Sequence, residues 1–173
     1  EVMIRQSFDT ARWMQTKGVR FQLAYGVHGF KHNNRFKFWG GGAVQIWGGG
    51  AELVKAWHAR LQRENIPVLY ETPALSLLHD DDGVKGVLAK REGRTTRILA
   101  KAVVLACGGF ESNSEMRTRY LGPGWDLAKV RGTKYNTGGG INMALAIGAM
   151  PNGHWSGCHA TEWDMNAPPF GDL

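Results

Sequence analysis

The sequence predicts an α/β fold, and three features of the chain carry that prediction. Residues 51–64 have the apolar spacing of an amphipathic helix. The turns at residues 81–83 and 92–94 contain glycine between short strand patterns, which indicates a small three-stranded antiparallel meander. The apolar stretch at residues 101–107 is typical of a strand buried on both faces, as in a parallel sheet. Helix, meander and buried strand together indicate a mixed sheet with packed helices.

Composition narrows the functional classes. The 173 residues, 43% of them hydrophobic, are enough for a sizeable core in one domain. No apolar run is long enough for a membrane span. Only Cys107 and Cys158 are present and the first residues do not resemble a targeting peptide, so a cytoplasmic, reducing location is predicted. The net charge of +6 favours anionic partners, but its cations are scattered, so a polycarboxylate fits better than nucleic acid.

Residues 1–50 form a lead-in segment rich in glycine and aromatic residues. The end of a helix is expected at residues 10–17, with short strands at 20–25 and 35–39. Glycine runs follow at residues 40–42 and 48–50, and the second opens the next helix either as a ligand cradle or, as we favour, as a tight entry. The neighbouring aromatic residues indicate core or interface: Phe36, Phe38, Trp39 and Trp47.

The middle of the chain has the clearest pattern. The helix expected at residues 51–64 has one apolar face, formed by Leu53, Val54, Trp57 and Leu61. It leads directly into a strand predicted at residues 67–70. The meander and the buried strand come next, with strands expected at 75–78, 84–90, 95–99 and 101–107.

The segment at residues 136–149 is the strongest functional signal in the chain. Asn136 or Thr137 is expected to cap a helix, because a side-chain oxygen there accepts from the N–H groups of the first turn. The glycines at residues 138–140 then leave the helix start without Cβ atoms. One buried face is expected to follow, formed by Ile141, Ala144, Leu145 and Gly148. Such a helix start suits an anionic or polar cofactor, and a glycine-rich turn before an ordinary helix fits equally well.

Several motifs together carry a family resemblance. Residues 101–110 read Lys-Ala-Val-Val-Leu-Ala-Cys-Gly-Gly-Phe, Asn113 and Met116 follow, and Asn-Thr-Gly-x-Gly-Ile-x-Met-Ala begins at residue 136. This combination resembles the FAD-dependent flavoproteins of the fumarate reductase and succinate dehydrogenase family. Residues 117–128 and 155–159 resemble the tricarballylate dehydrogenase branch of that family. The likeness covers most of the chain.

The resemblance implies a partial FAD-binding domain of the glutathione-reductase-like Rossmann type, with the three-stranded meander inserted. Residues 51–150 would form part of that domain, and residues 151–173 would begin a substrate or capping region. The implied FAD contacts are the backbone of Ala74 at the adenine, Gly108 and Gly109 at the end of the buried strand, and Thr137, Gly138, Gly139 and Gly140 near the ribityl chain and pyrophosphate. Ala74 is equally consistent with an ordinary residue at a hairpin end.

Two departures from the family pattern stand out. The family usually has Asp at the position of Gly139, where a carboxylate accepts hydrogen bonds from cofactor hydroxyls. Losing such a bond weakens binding by about 1.5–3 kcal/mol. The Gly-x-Gly-x-x-Gly fingerprint that opens the family's fold is also missing. The chain is therefore expected to be an internal segment, truncated at both ends, and in isolation marginally stable, prone to associate and inactive.

His159 is the candidate substrate residue. By resemblance it lies near the family's histidine that holds a substrate carboxylate, and a histidine can donate a hydrogen bond to such a group. A histidine held by loop packing is the alternative. A metal site formed with His154, Cys158, Glu162 and Asp164 is disfavoured, because the glycines and proline around them indicate a loop and zinc needs four well-placed ligands.

The resemblance thus predicts a segment of an FAD-dependent dehydrogenase acting on tricarballylate or a similar polycarboxylate by hydride transfer to flavin. No catalytic residue is assigned within this chain, and the electron acceptor stays open. Fumarate or succinate chemistry, or another flavin desaturation, is the alternative among enzymes. A non-catalytic flavin-binding or interaction remnant is the alternative outside them.

Overall fold

The computed structural model describes residues 1–39 and 43–171. It divides the chain into two compact units, Glu1–Leu69 and Tyr70–Leu173. The glycines at 40–42 in the lead-in segment, and residues 172–173 at the end of the expected capping region, lie outside the described residues.

The first unit begins with helix α1, Val2–Thr16, which confirms the helix end expected at residues 10–17. Strand β1 (Phe21–Leu23) pairs antiparallel with β4 (Val44–Ile46). Strands β2 (Gly29–His32) and β3 (Arg35–Phe38) form a separate hairpin. Both residues of its turn, Asn33 and Asn34, have positive φ angles of 47° and 60°, the conformation that matches a two-residue hairpin to the twist of its strands. The two strands expected in this segment are confirmed.

Helix α2, Gly49–Arg63, confirms the amphipathic helix and begins within the glycine run. Leu53, Trp57 and Leu61 are half-buried, and the Trp57 ring lies 5.7 Å from that of Trp13 on α1. The prediction that Val54 shares this face is wrong, since its side chain is 55% exposed. Val54 lies at the edge of the stripe, about 60° around the helix axis from Trp57, where its side chain is less covered.

The second unit contains the meander as predicted. Strands β5 (Ala74–Asp80), β6 (Gly83–Arg91) and β7 (Arg94–Leu99) form one antiparallel sheet in the order β5-β6-β7. Its second turn places Glu92 and Gly93 at φ angles of 51° and 77°, which is the positive-φ geometry of a tight hairpin. Leu77 and Ala89 are buried in this sheet. Helix α3 is Ser114–Leu121, a 3₁₀ turn covers Trp125–Leu127, and helix α4 is Gly139–Ala146.

Two predicted strands are wrong. Residues 101–107 and 67–70 have no strand structure, and all sheets among the described residues are antiparallel. Val104 is 88% exposed and Leu105 38% exposed, so the apolar stretch is not buried on both faces. A parallel strand is stabilised by hydrogen bonds to its neighbours and by helices on both faces, and no described segment is hydrogen-bonded beside this one as a strand.

Candidate cofactor and substrate site

The two glycine segments singled out in the sequence lie side by side. The N–H of Gly138 donates to the carbonyl of Gly109 over 2.9 Å, and the N–H of Ser112 donates to the carbonyl of Asn136 over 2.9 Å. Residues 108–112 and 136–140 therefore form one corner, although they lie 24 or more positions apart in sequence. The structure thus brings together Gly108, Gly109 and the run from Thr137 to Gly140.

Asn113 joins this corner to α3. Its Oδ1 accepts from the Met116 N–H over 3.1 Å and caps the helix, while its Nδ2 donates to the Thr137 carbonyl over 3.0 Å. One side chain therefore fixes both a helix start and the residue before the glycine run. The sequence contains Asn113 in its family pattern but does not reveal this second contact, which depends on a residue 24 positions away.

The predicted cap of α4 is wrong. The capping residue is Gly138 at φ 81°, with no side-chain cap, rather than Asn136 or Thr137. The Asn136 amide is used elsewhere, because its Nδ2 donates to the Glu111 carboxylate. A left-handed φ angle is readily adopted only by glycine, so the chain turns into the helix on backbone conformation alone.

Three of the glycines are required by packing against protein atoms. A Cβ on Gly138 would lie 2.5 Å from the Met116 Sδ, and one on Gly140 would lie 3.1 Å from both Cβ and Sγ of Cys107. A Cβ on Gly108 would lie 2.6 Å from the Asn136 Oδ1. Gly138 and Gly140 are buried as a result. Absence of a side chain at these positions lets the corner close.

Gly139 differs from its neighbours. It is exposed, and a Cβ built on it would have no atom within 4 Å. It is also the first residue of α4, where backbone N–H groups lack intrahelical acceptors and the helix dipole is positive. An open helix start with bare backbone fits a cofactor phosphate or hydroxyl, so the residues present fit FAD. No protein packing explains this glycine.

The buried face of α4 is only partly as predicted. Ile141, Ala144 and Leu145 are half-buried, but the buried residues are Gly140 and Met143. Gly148, expected on the same face, lies beyond the helix end. The helix is only two turns long, so its C-terminal positions have left the helical path before the face can continue.

Ala74 is the first residue of β5 and is exposed, opposite Ala89 in the register of the meander. Strand β5 packs against α4, the helix that the glycine corner begins. The strand that carries the expected adenine contact thus belongs to the same packed group as the expected ribityl and pyrophosphate contacts.

A cavity of about 770 Å³ opens beside this corner. Gly109, the candidate cofactor contact, and His159, the candidate substrate residue, both line it. Aromatic and aliphatic side chains make up much of the remaining wall, among them Phe110, Trp125, Ile141 and Trp163. A volume of this size is typical of a small-molecule site.

Arg117 builds one wall of the cavity. Only 7% of this residue is exposed, and its guanidinium donates to the carbonyls of Glu111 (2.5 Å), Trp125 (2.7 Å), Asp126 (2.8 Å) and Ala128 (3.3 Å). It therefore holds two loops together and has little capacity left for a ligand. No sequence pattern indicates this role of Arg117, because the acceptors are backbone atoms.

Lys129 also lines the cavity. Its ammonium donates to the carbonyls of Met165 and Ala167, while the Val130 N–H donates to the Pro169 carbonyl over 2.9 Å. Val130 and Phe170 also form an isolated parallel β-bridge. These contacts fix residues 165–170, which follow His159 along the cavity wall.

Arg131 and His159 of the cavity wall differ from Arg117 and Lys129, because their side chains do not donate to backbone carbonyls of the described residues. The Arg131 guanidinium lies 4.8 Å from the centre of the Trp163 ring, and no hydrogen bond or ion pair joins it to another described side chain. The His159 ring likewise has no hydrogen bond to another described residue. The acidic wall residues are engaged: Glu111 accepts from Asn136, and Asp164 accepts from the Asn166 N–H over 2.7 Å. The sequence did not single out Arg131 or Trp163.

Within the described part of the chain, no three His, Cys, Asp or Glu side chains come close enough together to hold a metal ion. His154, one of the residues considered for a metal, instead has its Nε2 3.1 Å from the Ser156 Oγ. Among residues 1–39 and 43–171, no helix has the length and apolar character to cross a membrane. The cysteines at positions 107 and 158 are both free and exposed.

Comparison with known proteins identifies several relatives, of which three are described. The NADH:fumarate oxidoreductase of Klebsiella pneumoniae is 28% identical over 138 residues, which are 79% of this chain and 14% of that protein. The fumarate reductase (cytochrome) of Shewanella frigidimarina is 30% identical over 117 residues, or 66% of this chain and 20% of that protein. The 3-oxosteroid 1-dehydrogenase of Mycobacterium tuberculosis is 34% identical over 95 residues, or 51% of this chain and 17% of that protein.

Solved structures give the same fold. The 3-ketosteroid delta1-dehydrogenase of Sterolibacterium denitrificans, in complex with 1,4-androstadiene-3,17-dione, matches 58% of this chain and 19% of its own, with a TM-score of 0.55 and 33% identity. The 3-ketosteroid-delta4-(5alpha)-dehydrogenase of Rhodococcus jostii RHA1 matches 84% of this chain and 36% of its own, with a TM-score of 0.63. At 22% identity the second likeness supports the fold alone.

The chain spans 20% or less of the length of these curated relatives. The family model described as an FAD binding domain matches residues 1–156, and the fold is a partial FAD-binding domain of mixed α/β type. The named relatives are dehydrogenases and reductases, and FAD is the cofactor of the matched domain. The chain therefore belongs to the FAD binding domain family.

Proposed function

We propose that this chain is the part of an FAD-dependent dehydrogenase that contacts both FAD and the substrate, and that the substrate is a polycarboxylate such as tricarballylate. One observation carries the proposal: Gly109, at the corner where FAD is expected, and His159 line the same cavity of about 770 Å³. A dehydrogenase needs its cofactor and its substrate in contact, and a shared cavity provides that proximity.

FAD would be held by Gly108, Gly109 and the start of α4 from Thr137 to Gly140, with the backbone of Ala74 at the adenine. The helix start supplies N–H donors and a positive dipole for the anionic part of the cofactor. When bound, FAD supplies the hydride-accepting chemistry that oxidation of a carbon–carbon single bond requires. The protein's contribution is to orient the cofactor and to shape the cavity beside it.

A polycarboxylate is favoured by the charges that remain available in the cavity. Arg117 and Lys129 are committed to backbone carbonyls, and Glu111 and Asp164 to amide donors. His159 and Arg131 have no hydrogen-bonding partner among the described side chains. Glu111 and Asp164 keep their negative charge, but the three cations of the wall outnumber these two acids, and the N–H groups of Arg131 and His159 suit carboxylates.

A steroid-like substrate is the second candidate, and the apolar wall favours it. Phe110, Trp125, Ile141 and Trp163 line the cavity and would pack against a flat, largely apolar molecule. The relatives from Mycobacterium tuberculosis and Sterolibacterium denitrificans are named as steroid dehydrogenases, and the structure of the second holds a steroid. Fumarate or succinate chemistry is the variant of the polycarboxylate proposal that the fumarate reductase relatives support.

The first experiment asks whether the purified chain binds FAD. Titration of FAD with the protein should quench the flavin fluorescence and shift the flavin absorbance. Gly138→Val serves as the matched variant, because a side chain there would collide with Met116 and keep the corner from closing. Wild-type protein that leaves flavin fluorescence unchanged, while its circular dichroism shows a folded chain, would favour a non-catalytic remnant and contradict the proposal.

The second experiment identifies the substrate. Dye reduction should be measured with FAD-loaded protein, including any sequence that flanks this chain, against tricarballylate, succinate and a 3-oxosteroid. We expect tricarballylate-dependent reduction, with His159→Gln lowering kcat/KM by roughly tenfold or more through loss of a charge-assisted hydrogen bond. Reduction with the steroid alone would replace the polycarboxylate by the second candidate.

A further inference from the structure

We propose that Arg131, stacked on the indole of Trp163, binds a second carboxylate of the substrate and so makes the site selective for polycarboxylates over monocarboxylates and neutral molecules. This inference rests on the proposed function and adds a specificity-determining pair to it. Both residues line the cavity that His159 and Gly109 share.

Elimination among the charged residues of the wall points to Arg131. The cavity is lined by the acids Glu111 and Asp164 and by the cations Arg117, Lys129 and Arg131, together with His159. Both acids accept hydrogen bonds from nearby amides, and two of the three cations donate to backbone carbonyls. Among the described residues, Arg131 alone of these three cations has no hydrogen bond or ion pair.

The stacking contact positions Arg131 without occupying its donors. The guanidinium lies 4.8 Å from the centre of the Trp163 ring, within the range of a cation–π interaction. Stacking uses the flat face of a guanidinium, whereas a carboxylate binds bidentately at its edge. A residue stacked in this way is already ordered before the ligand arrives, so less side-chain entropy is lost on binding.

Two separate hydrogen-bond donors, Arg131 and His159, distinguish ligands by the number of their carboxylates. A monocarboxylate needs only one of them, and His159 is the expected partner. A tricarboxylate can use Arg131 as well, which adds a charge-assisted, bidentate contact. A neutral steroid gains nothing from Arg131 and would leave the guanidinium partly desolvated.

The test measures binding of tricarballylate by isothermal titration and of butyrate by ligand-observed NMR, using FAD-loaded chain. Arg131→Gln should weaken tricarballylate binding by roughly 10–100-fold and leave butyrate binding within about twofold. Arg131→Lys keeps the charge but loses the planar fork, so we expect a loss of roughly 3–10-fold. Trp163→Leu should fall in the same range as Arg131→Lys.

Lys134→Gln is the matched control. It removes the same charge three residues away, does not line the cavity, and should change tricarballylate binding by less than about twofold. Equal loss of tricarballylate and butyrate binding in Arg131→Gln would indicate a structural role and overturn the proposal. Unchanged binding in that variant, with loss in His159→Gln, would overturn it while the proposed function stands. Wild-type protein that binds FAD but no carboxylate would overturn both this proposal and the polycarboxylate substrate.

Discussion

Two runs of three glycines each begin a helix in this chain, and their surroundings differ. Residues 48–50 lead into α2 in the first unit, and residues 138–140 lead into α4 in the second. Both helices are capped by a left-handed glycine, at φ 76° for Gly48 and 81° for Gly138. As sequence patterns, and as backbone conformations, the two runs are nearly the same.

The two runs differ in the atoms that a Cβ added to each glycine would meet. A Cβ on Gly49 or Gly50 would meet nothing within 4 Å, and one on Gly48 would meet only Glu52 of its own helix. In the second run, Gly138 and Gly140 press against Met116, Phe110 and Cys107. The first run is a tight entry into a helix, whereas the second closes a corner between distant segments and leaves only Gly139 open. The environment of a glycine, rather than the glycine itself, therefore indicates its role.

The largest expected effect is at the closed corner. Gly138→Ala forces a left-handed φ on a residue with a Cβ and places that atom against Met116 and Phe110, so it should lower the free energy of unfolding by about 2–4 kcal/mol. Gly50→Ala, in open space at the other run, is the control and should raise it by about 0.5–1 kcal/mol. Urea denaturation measures both. If both substitutions changed the free energy of unfolding equally, the two glycine runs would not differ in their packing role.

The open glycine of the second run gives the next largest effect. Gly139→Asp adds a carboxylate where the resemblance expects one and where a Cβ meets no atom, so the fold should accept it. FAD binding should tighten by about 1.5–3 kcal/mol through a charge-assisted hydrogen bond, measured by quenching of flavin fluorescence. Gly139→Ala is the control and should leave the FAD affinity almost unchanged. Weaker FAD binding by the aspartate variant would indicate that cofactor phosphate, rather than hydroxyl, lies at this helix start.

Substitutions of Asn113 test whether this side chain holds the corner together. Asn113→Ala removes both the cap of α3 and the contact with the Thr137 carbonyl, and should cost about 1–2 kcal/mol of unfolding free energy. Asn113→Asp keeps the cap acceptor but cannot donate to Thr137, so it should retain most of the stability and still weaken FAD binding. Thermal unfolding and flavin titration of the two variants separate the two contacts. Identical behaviour of both variants would show that the glycine loop does not depend on this side chain.

The smallest expected effect concerns Glu52, which lies on α2, the helix that the first glycine run begins. The pKa of Glu52 is held below its ordinary value of 4.5, mainly by a hydrogen bond from Lys55 (2.6 Å) and by the charge of that residue. A lowered pKa stabilises the fold above pH 4.5, and this contribution disappears as the pH falls through the lowered pKa. Glu52→Gln should therefore have a slightly lower Tm than wild type at pH 7, and the difference should shrink as the pH falls below 4.5 and through the lowered pKa. A Tm difference that persists in acid would contradict this origin.

Sequence patterns predict well those elements that depend on interactions between residues close together in the chain. The meander was recognised because its turns require the conformation that glycine supplies, and the pairing of adjacent strands follows from the turn. Helix α2 was recognised from its own periodicity. The strand expected at residues 101–107 failed because an apolar sequence becomes a strand only beside a hydrogen-bonding partner.

The sequence by itself determined the family, the meander and the glycine segments that mark the cofactor corner. Tertiary structure alone decided which glycines are packed, which cations hold the walls and which remain available to a ligand. Arg117 and Arg131 are both arginines in the same stretch of chain, and nothing in their local sequence distinguishes a structural residue from a ligand-binding one. Their roles depend on backbone carbonyls and an indole ring brought close by folding, and hydrogen bonds to such distant atoms have no periodicity for a sequence to show.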